Sequence, residues 1–258
     1  MAKGAAIKFR SYEDTVPRLL DLLKVGREIK KYDKIILKPA LLSNENSYPS
    51  EAFMEQILKF CLENKNPVSD IFIAEGADGT DTIELFNKVG YKNLAEKYSI
   101  GLIDLNNAET EEVEDGLFLK FESIHYPSVL KDSFVISISK LSENEETEIA
   151  GTLAGMLGAF PGLHYRGFFS RAKSKIRKWP IKYSIHDIAR CKMPNFSMID
   201  SSAQGYIIAG LPLEVDKQAA KMLGKDWRAV PYLKLLDEQF ASQEEPPKLP
   251  AHTSLQTA

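Results

Sequence analysis

The 258-residue chain has few cysteines and no long apolar run. Its two cysteines, Cys61 and Cys191, are too few for an iron–sulfur cluster, which needs four thiolates, and their spacing fits no zinc motif. No stretch reaches the roughly 18 apolar residues of a membrane-spanning helix, and the N-terminal residues lack the apolar core of a signal peptide. We therefore predict a cytoplasmic protein with neither a cluster nor a transmembrane segment.

Acidic side chains are absent from residues 149–186, although the whole chain has a net charge of −3. The same stretch holds seven cations, namely Arg166, Arg171, Lys173, Lys175, Arg177, Lys178 and Lys182. We refer to residues 164–182 as the basic segment. Such a cluster on an otherwise acidic protein predicts a local anion site and argues against a DNA-binding protein, which usually has a basic domain.

The order of apolar runs predicts an α/β protein. Hydrophobic residues make up 44% of the chain, enough for a sizeable core. Strands are predicted at 5–9, 34–37, 70–74, 100–105, 117–121, 133–139 and 196–200, and helices at 12–25, 49–64, 81–98 with a break at Gly90, 182–190, 213–223 and 227–240. This order predicts a mostly parallel sheet with helices on both faces, within residues 1–240, as a single domain or two closely packed subdomains. The acidic residues 143–148 are predicted to start a solvated helix, and the polar, proline-rich residues 241–258 to form a disordered tail.

Two lysines that close predicted strands are the leading candidates for a binding site. Lys38 directly follows the strand 34–37, and Lys140 directly follows the strand 133–139. In an open parallel sheet, ligands bind outside the carboxyl ends of the strands. We therefore predict that both ammonium groups converge on one anionic small molecule, a phosphate or a carboxylate. The alternative is a lysine whose stem packs on the sheet while its charge reaches water.

The loop 75–80 brings two glycines, Gly76 and Gly79, to the start of a predicted helix. Backbone N–H groups at such a position are suited to bind the same anion. In the alternative interpretation the loop is a plain turn, and Thr80 or Asp81 caps the helix that follows.

Two aspartates are weak candidates for a divalent metal, and the residues suggest no other cofactor. Asp200 ends a predicted strand, and Asp216 precedes the helical run 217–223. Each carboxylate could instead bind a hydroxyl group or have a structural role, as a turn former or at a helix N-terminus. His186 and Asp187 are adjacent in a predicted helix, where neighbouring side chains do not face each other. No serine–histidine–acid arrangement is evident, so the sequence leaves open whether the protein is an enzyme.

The basic segment has two interpretations. In the first, His164, Arg166 and Arg171 close over the anionic ligand at the strand ends, and the protein is an enzyme or a binding protein. In the second, the basic segment is a docking surface of a non-catalytic protein for an acidic redox partner, RNA or a membrane surface, because its basic residues lie near the aromatic residues Tyr165, Phe168 and Phe169. The positions of the cations distinguish the two, since a ligand site needs them in a cleft and a docking surface needs them exposed.

Seven short motifs occur in a recognisable order across residues 33–235. They are Ile36–Pro39, Glu75–Gly79, Ile136–Leu141, Gly158–Gly162, His186–Ile188, Met198–Asp200 and Val215–Gly224. In this order the chain resembles the family known as domain of unknown function 362. The resemblance implies an α/β fold. It also implies relatives with a ferredoxin-like domain or extra cysteines for an iron–sulfur cluster, which this chain does not have.

The chain departs from the pattern of that family at several polar positions. Ala40 stands where the family usually has Asn, Ala154-Gly155 where it has Lys-Asn, and Leu211 where it has Asp. Ser142-Glu143-Asn144 replaces a Lys-Thr-His. The resemblance therefore implies a member with a changed or reduced activity.

Overall fold

The computed structural model describes residues 4–41 and 47–240. The predicted tail 241–258 and residues 42–44, which follow the first central strand, lie outside this part. The strands of the described part are β1 (Gly4–Lys8), β2 (Lys34–Pro39), β3 (Asp70–Glu75), β4 (Gly101–Asp104), β5 (Thr110–Glu114), β6 (Ser123–Pro127), β7 (Phe134–Lys140), β8 (Glu143–Asn144), β9 (Glu148–Ile149), β10 (Phe196–Ser201) and β11 (Tyr206–Gly210). Its α-helices are α1 (Tyr12–Leu22), α2 (Val25–Ile29), α3 (Glu51–Asn64), α4 (Thr82–Lys88), α5 (Tyr91–Tyr98), α6 (Ser128–Lys131), α7 (Thr152–Gly155), α8 (Gly162–Tyr165), α9 (Ile181–Cys191), α10 (Pro212–Met222) and α11 (Pro231–Phe240).

Seven of these strands form one sheet in the order β1-β11-β10-β7-β2-β3-β4. The run from β10 to β4 is parallel, whereas β11 is antiparallel to both β10 and β1. The chain places β3 and β4 on one side of β2, and then returns to place β7 and β10 on the other side. The predicted α/β class with a mostly parallel sheet is therefore confirmed, and the direction of strand addition reverses between β2 and β7.

The two faces of the sheet carry separate apolar cores. Ile35 and Leu37 of β2 point to the first face, where α1–α5 pack, and Ile36 points to the second face, where α6–α11 pack. Because the side chains of a strand alternate between faces, a strand that is buried on both faces has a continuous apolar sequence. The apolar run in β2 indicated a buried strand for this reason.

Polar caps fix the starts of three helices. Ser11, Ser50 and Asp81 precede α1, α3 and α4, and each side-chain oxygen accepts the backbone N–H three residues further on. These hydrogen bonds satisfy N–H groups that have no acceptor within the helix. Gly90, with φ of 85°, ends α4 and lets the chain start α5 in a new direction.

Two predictions for the middle of the chain are wrong. Residues 117–121 form no strand, because the carboxylate of Asp187 accepts the N–H groups of 119–121 and holds them in a turn. The acidic residues 143–148 form the small hairpin β8–β9 and not the start of a helix. Strand β11, which follows a turn at Gly205 (φ 82°), is additional to the predicted elements.

Candidate functional site

The predicted convergence of Lys38 and Lys140 is wrong. In the neighbouring strands β2 and β7, Lys38 is paired with Ser137, so these two side chains share the second face. Lys140 lies three residues after Ser137 and, because side chains alternate along a strand, points to the first face. There it is in register with Asp200, whose carboxylate accepts a hydrogen bond from Tyr12 at 2.7 Å. The two ammonium groups therefore lie on opposite faces of the sheet.

Lys38 forms a buried ion pair at the carboxyl end of β2. Its Nζ donates to Oε2 of Glu75 at 2.8 Å and to the carbonyl of Gly155 at 2.7 Å, and neither charged side chain is exposed. The other oxygen of Glu75, Oε1, accepts the N–H of Gly76 at 2.8 Å. A buried pair is tolerated only when both partners are hydrogen-bonded in this way, since each charge has lost its water. The sequence predicted that the ammonium group of Lys38 contacts a ligand or water, whereas in the structure it contacts the carboxylate of Glu75.

A second lysine reaches the same place from the basic segment. Lys173 is 1% exposed, and its Nζ donates to the carbonyls of Gly76 at 2.7 Å and Gly158 at 3.1 Å. Burial lowers the pKa of this amine to about 7, with Glu75 raising it and Lys38 lowering it by smaller amounts. Sequence reasoning gave Lys173 no special role, because nothing in the pattern of a loop shows which of several lysines turns inward.

Gly158 lies between the two amines and has no room for a side chain. A Cβ atom there would lie 1.6 Å from Oε1 of Glu75 and 2.8 Å from Nζ of Lys38. Its carbonyl meanwhile accepts the hydrogen bond from Lys173. We refer to Lys38, Glu75 and Lys173 as the buried lysine cluster; it contains two amines and one carboxylate.

Contacts of Asp78 hold the basic segment over the loop 75–80. Oδ1 of Asp78 accepts the backbone N–H of Lys173 at 2.7 Å, and Oδ2 pairs with Nη1 of Arg177. Arg177 also pairs through Nε with Glu146 in the β8–β9 hairpin at 2.8 Å. We call these contacts the Asp78 latch. These contacts account for both oxygens of the Asp78 carboxylate, since each oxygen has a donor from the basic segment.

The buried side chain of Asn106 joins the loops beneath the latch. Its amide donates to the carbonyl of Ala77 at 2.8 Å and to Oγ1 of Thr82 at 3.1 Å, and its oxygen accepts the N–H of Gly162 at 3.0 Å. A single side chain thus fixes the loop after β3 against the start of α8. No motif predicted this role, because an isolated Asn in a loop is a common turn former.

A cleft of about 710 Å³ opens beside the latch, between the β8–β9 hairpin, the end of the basic segment and the start of α11. Arg177, Lys178, Trp179 and Lys182 line it on the side of the basic segment. Three acidic side chains line the opposite wall, namely Glu145, Glu146 and Glu148. The number of acidic side chains matches that of the cations, so the cleft by itself does not select for an anion.

The three residues that were predicted to close over a ligand lie elsewhere. His164 stacks on His125 with ring centroids 3.8 Å apart, and burial lowers the pKa of its imidazole, with His125 and Lys175 lowering it further. The guanidinium of Arg166 lies over Gly162, and Arg171 is exposed. Lys173 and Arg177 occupy the place that the prediction gave to these residues.

The two predicted glycines have different surroundings. The N–H of Gly76 is already bonded to Glu75, and a Cβ on Gly76 would lie 2.5 Å from the carbonyl of Gly158. Gly79 has φ of 76° and open space around it, as expected of a turn. Asp81 caps α4, so the local geometry of the loop matches the plain turn.

The two metal candidates also lie apart, on opposite faces of the sheet. Asp200 accepts Tyr12 Oη and the N–H of Ser202, whereas Asp216 accepts the N–H groups at the start of α7 together with Thr152 Oγ1 and Tyr232 Oη. Burial raises the pKa of Asp216, and these four donors lower it in part. Across residues 4–41 and 47–240, no three His, Cys, Asp or Glu side chains come together as a metal site.

The prediction for His186 and Asp187 is wrong. Nδ1 of His186 lies 2.7 Å from Oδ1 of Asp187, although the two residues are adjacent on α9, and both side chains are fully buried. The same carboxylate binds the backbone of the turn 119–121. Nε2 of His186 has no hydrogen-bond partner within the described part of the chain. Through these hydrogen bonds the pair fixes the turn to the helix.

Two of the departures from the family pattern are neighbours in space. A Cβ atom on Gly155 would lie 2.9 Å from Cβ of Ala40, and the carbonyl of Gly155 accepts the hydrogen bond from Lys38. The two asparagines that the resemblance leads one to expect at positions 40 and 155 would therefore meet beside Lys38. Small side chains at both positions leave Lys38 paired with Glu75 and a main-chain carbonyl.

Comparison with known proteins identifies a family for the chain. The model of the family described as domain of unknown function 362 matches residues 13–205, a range that contains Lys38, Glu75 and Lys173. No curated protein matches the chain. No helix in the described ranges is long and apolar enough to cross a membrane. The chain belongs to the domain of unknown function 362 family.

Proposed function

We propose that the protein binds an anionic small molecule, bearing a phosphate or a carboxylate, at the carboxyl edge of the sheet beneath the basic segment. The observation that carries this proposal is the charge of the buried lysine cluster. Two amines, Lys38 and Lys173, approach Gly158 from two sides, and Glu75 is the one carboxylate in contact with either of them among the described residues. An anion placed between them would give Lys173 the negative partner that two carbonyl oxygens do not supply.

The position of the cluster in the fold supports the same proposal. In open parallel sheets, ligands bind outside the carboxyl ends of strands, where the direction of strand addition reverses. Here the reversal lies between β2 and β7. Lys38 ends β2, and its second hydrogen-bond partner, Gly155, lies in the connection that follows β7. The cluster is therefore at the place where this architecture most often holds a ligand.

Binding requires the basic segment to open, since the side chains of the buried lysine cluster are almost fully inaccessible to solvent. Release of the Asp78 latch would withdraw Lys173 from Gly76 and Gly158 and expose Lys38. When the segment closes over the ligand, the amine of Lys173 would return to the site in its protonated form, because the anion stabilises the positive charge. An amine with a pKa near 7 can also accept or donate a proton at neutral pH, so the same site fits either a binding protein or an enzyme that transfers a proton.

The test is a thermal-shift screen with inorganic phosphate, nucleotides, sugar phosphates and citrate. We expect at least one of these anions to raise the Tm of the wild type by mass action. The same anion should raise the Tm of Lys140→Met, whose substituted side chain is on the first face. Lys173→Met and Lys38→Met/Glu75→Gln should lose the shift; the double variant avoids leaving a buried carboxylate unpaired.

Far-UV circular dichroism of each variant separates loss of binding from loss of folding. Equal shifts in all four proteins would show that the anion binds elsewhere. The absence of a shift with any of these anions in the wild type would overturn the proposal.

A further inference from the structure

The outward side of the basic segment has a tip of two exposed phenylalanines. Phe168 is 94% exposed and Phe169 is 97% exposed, and their rings pack against each other with centroids 4.8 Å apart. Hydrophobic side chains of this size are rarely left so open on a surface that has no partner. We refer to residues 166–171, which read Arg-Gly-Phe-Phe-Ser-Arg, as the tip loop.

The tip loop is held in place by its own backbone and by the core. The N–H of Gly167 donates to the carbonyl of Ala172, and the N–H of Ser170 donates to the carbonyl of Gly167, both at 3.4 Å. One residue, Ala172, separates the loop from Lys173, which is buried in the lysine cluster. The two aromatic rings are therefore presented on a short closed loop with a fixed base.

Exposed cations lie in the tip loop and in the residues that follow it. Arg171, Lys175 and Lys178 are exposed, and none of them pairs with an acidic residue in the part of the chain that the structure describes. Two more apolar side chains close to the tip loop in the sequence are open, since Leu163 is 74% exposed and Trp179 is 66% exposed. Lys178 and Trp179 also line the cleft beside the latch, whose other lining residues include Glu145, Glu146 and Glu148, and Glu146 is paired with Arg177.

We propose that this surface docks on an anionic lipid bilayer, with the phenyl rings of the tip loop in the interfacial region and the exposed cations on the lipid phosphates. Apolar side chains flanked by Lys and Arg, with Trp near the boundary, are the composition that binds such an interface. The proposal is independent of the small-molecule site, because it rests on the outward side chains of the basic segment and not on Lys38, Glu75 or Lys173.

The observations favour a bilayer over the two other partners that the sequence allows. An acidic protein would account for the cations, but it would also have to provide an apolar pocket for the two phenyl rings. RNA bases stack on flat, open ring faces, whereas the rings of Phe168 and Phe169 lie at 81° to each other and form no single flat platform for successive bases. A bilayer interface accommodates both the ring pair and the surrounding positive charge.

The experiment is co-sedimentation of the full chain with phosphatidylcholine vesicles, with and without phosphatidylglycerol. The test variant is Phe168→Ser/Phe169→Ser, and the matched control is Leu22→Ser/Val68→Ser, which removes two exposed apolar side chains far along the chain from the basic segment (62% and 75% exposed). We expect the wild type and the control to bind the anionic vesicles. The test variant should bind at least about tenfold more weakly, and added salt should weaken binding by the wild type.

Fluorescence of Trp179 gives a second readout in a Trp227→Phe background, in which Trp179 is the one remaining tryptophan. Its emission should shift to the blue when anionic vesicles are added. Four outcomes would overturn the proposal. The first three are failure of the wild type to bind anionic vesicles, equal binding to pure phosphatidylcholine, and an equal loss of binding in the control variant. The fourth is that the wild type forms a dimer or a complex with oligouridylate, does not bind vesicles, and loses that dimer or complex in Phe168→Ser/Phe169→Ser. The phosphate and citrate thermal shifts are expected to be unchanged in this variant, which keeps the two proposals separable.

Discussion

At the scale of single residues, Lys173 links the fold to pH. Its folded pKa, about 7, lies below the ordinary lysine value of 10.5, because burial disfavours the charged amine. Between these two values the unfolded chain binds a proton that the folded chain does not. Stability therefore rises with pH across this window, by at most about 1.4 kcal/mol per pH unit.

The prediction compares the wild type with Lys173→Met. The free energy of unfolding of the wild type, measured with urea, should increase relative to that of the variant as the pH rises from about 7 to about 9.5. Lys120 and Lys192, whose pKa values are lowered to about 8 by burial, titrate in both proteins and cancel in the difference. Parallel curves for the two proteins would show that the amine of Lys173 stays charged in the folded state.

The sequence predicted the importance of some site residues but not their partners. Lys38 could be singled out because an ammonium at the end of an apolar strand needs a partner, and that reasoning depends only on local sequence. Its partner Glu75 could not be identified, since the contact joins two strands that the sequence does not place in register. Lys140 was paired with Lys38 on position alone, and the alternation of side chains along β7, together with its register, puts it on the other face.

At the scale of helices and strands, the start of α10 is missing a cap. Leu211 has the extended conformation of an N-cap residue, with φ −68° and ψ 138°, but makes no side-chain hydrogen bond to the helix. The N–H groups of the first turn of a helix have no acceptor within the helix, and aspartate is among the best side chains for binding them. This is also the position at which the family pattern has an aspartate.

We therefore predict that Leu211→Asp stabilises the protein relative to Leu211→Ala by about 1 kcal/mol. The alanine variant is the matched control, because it removes the same leucine without adding a cap. Thermal and urea unfolding of both variants give the comparison. If the alanine variant were as stable as the aspartate variant, the added carboxylate would not be capping α10.

The prediction of elements depended on how far each one is determined by its own sequence. β2, β3, β7 and β10 are apolar on both faces and were recognised from their composition. The two residues of β8 and the two of β9 are paired with each other and carry no periodicity that a pattern could detect. The turn 117–121 is apolar except for Lys120, and only the distant carboxylate of Asp187 explains why it is not a strand.

At the scale of the whole molecule, the basic segment is fastened across the carboxyl edge of the sheet by Arg177. This side chain bridges Asp78, which follows β3, and Glu146, in the β8–β9 hairpin. Its removal leaves the rest of the core untouched, so the segment should open locally while the global fold persists.

Arg177→Met should raise the rate of chymotrypsin cleavage at Phe168 and Phe169 by about tenfold, because the loss of two partly buried ion pairs increases the open population. Lys178→Met, which changes an exposed neighbour, should be cleaved at the wild-type rate. Cleavage sites are identified by mass spectrometry after brief digestion. Equal rates in the two variants would mean that Lys173 alone holds the segment closed.

The global architecture was largely predictable, whereas the site was not. The alternating order of strands and helices predicted a parallel sheet, since right-handed crossovers leave few other arrangements. The order of the strands decides which loops meet, and it is set by contacts between distant parts of the chain, such as β7 beside β2 and β11 beside β1. The buried lysine cluster depends on those contacts and could not be assembled from the motifs alone.

The pairing at the edge of the sheet has a consequence for synthesis on the ribosome. Ala6, near the beginning of the chain, is paired with Ile208 of β11. β1 therefore leaves the exit tunnel about 200 residues before its neighbour β11 has been translated. β2, β3 and β4 can pair with one another much earlier, so β1 is incorporated into the sheet after its centre has formed.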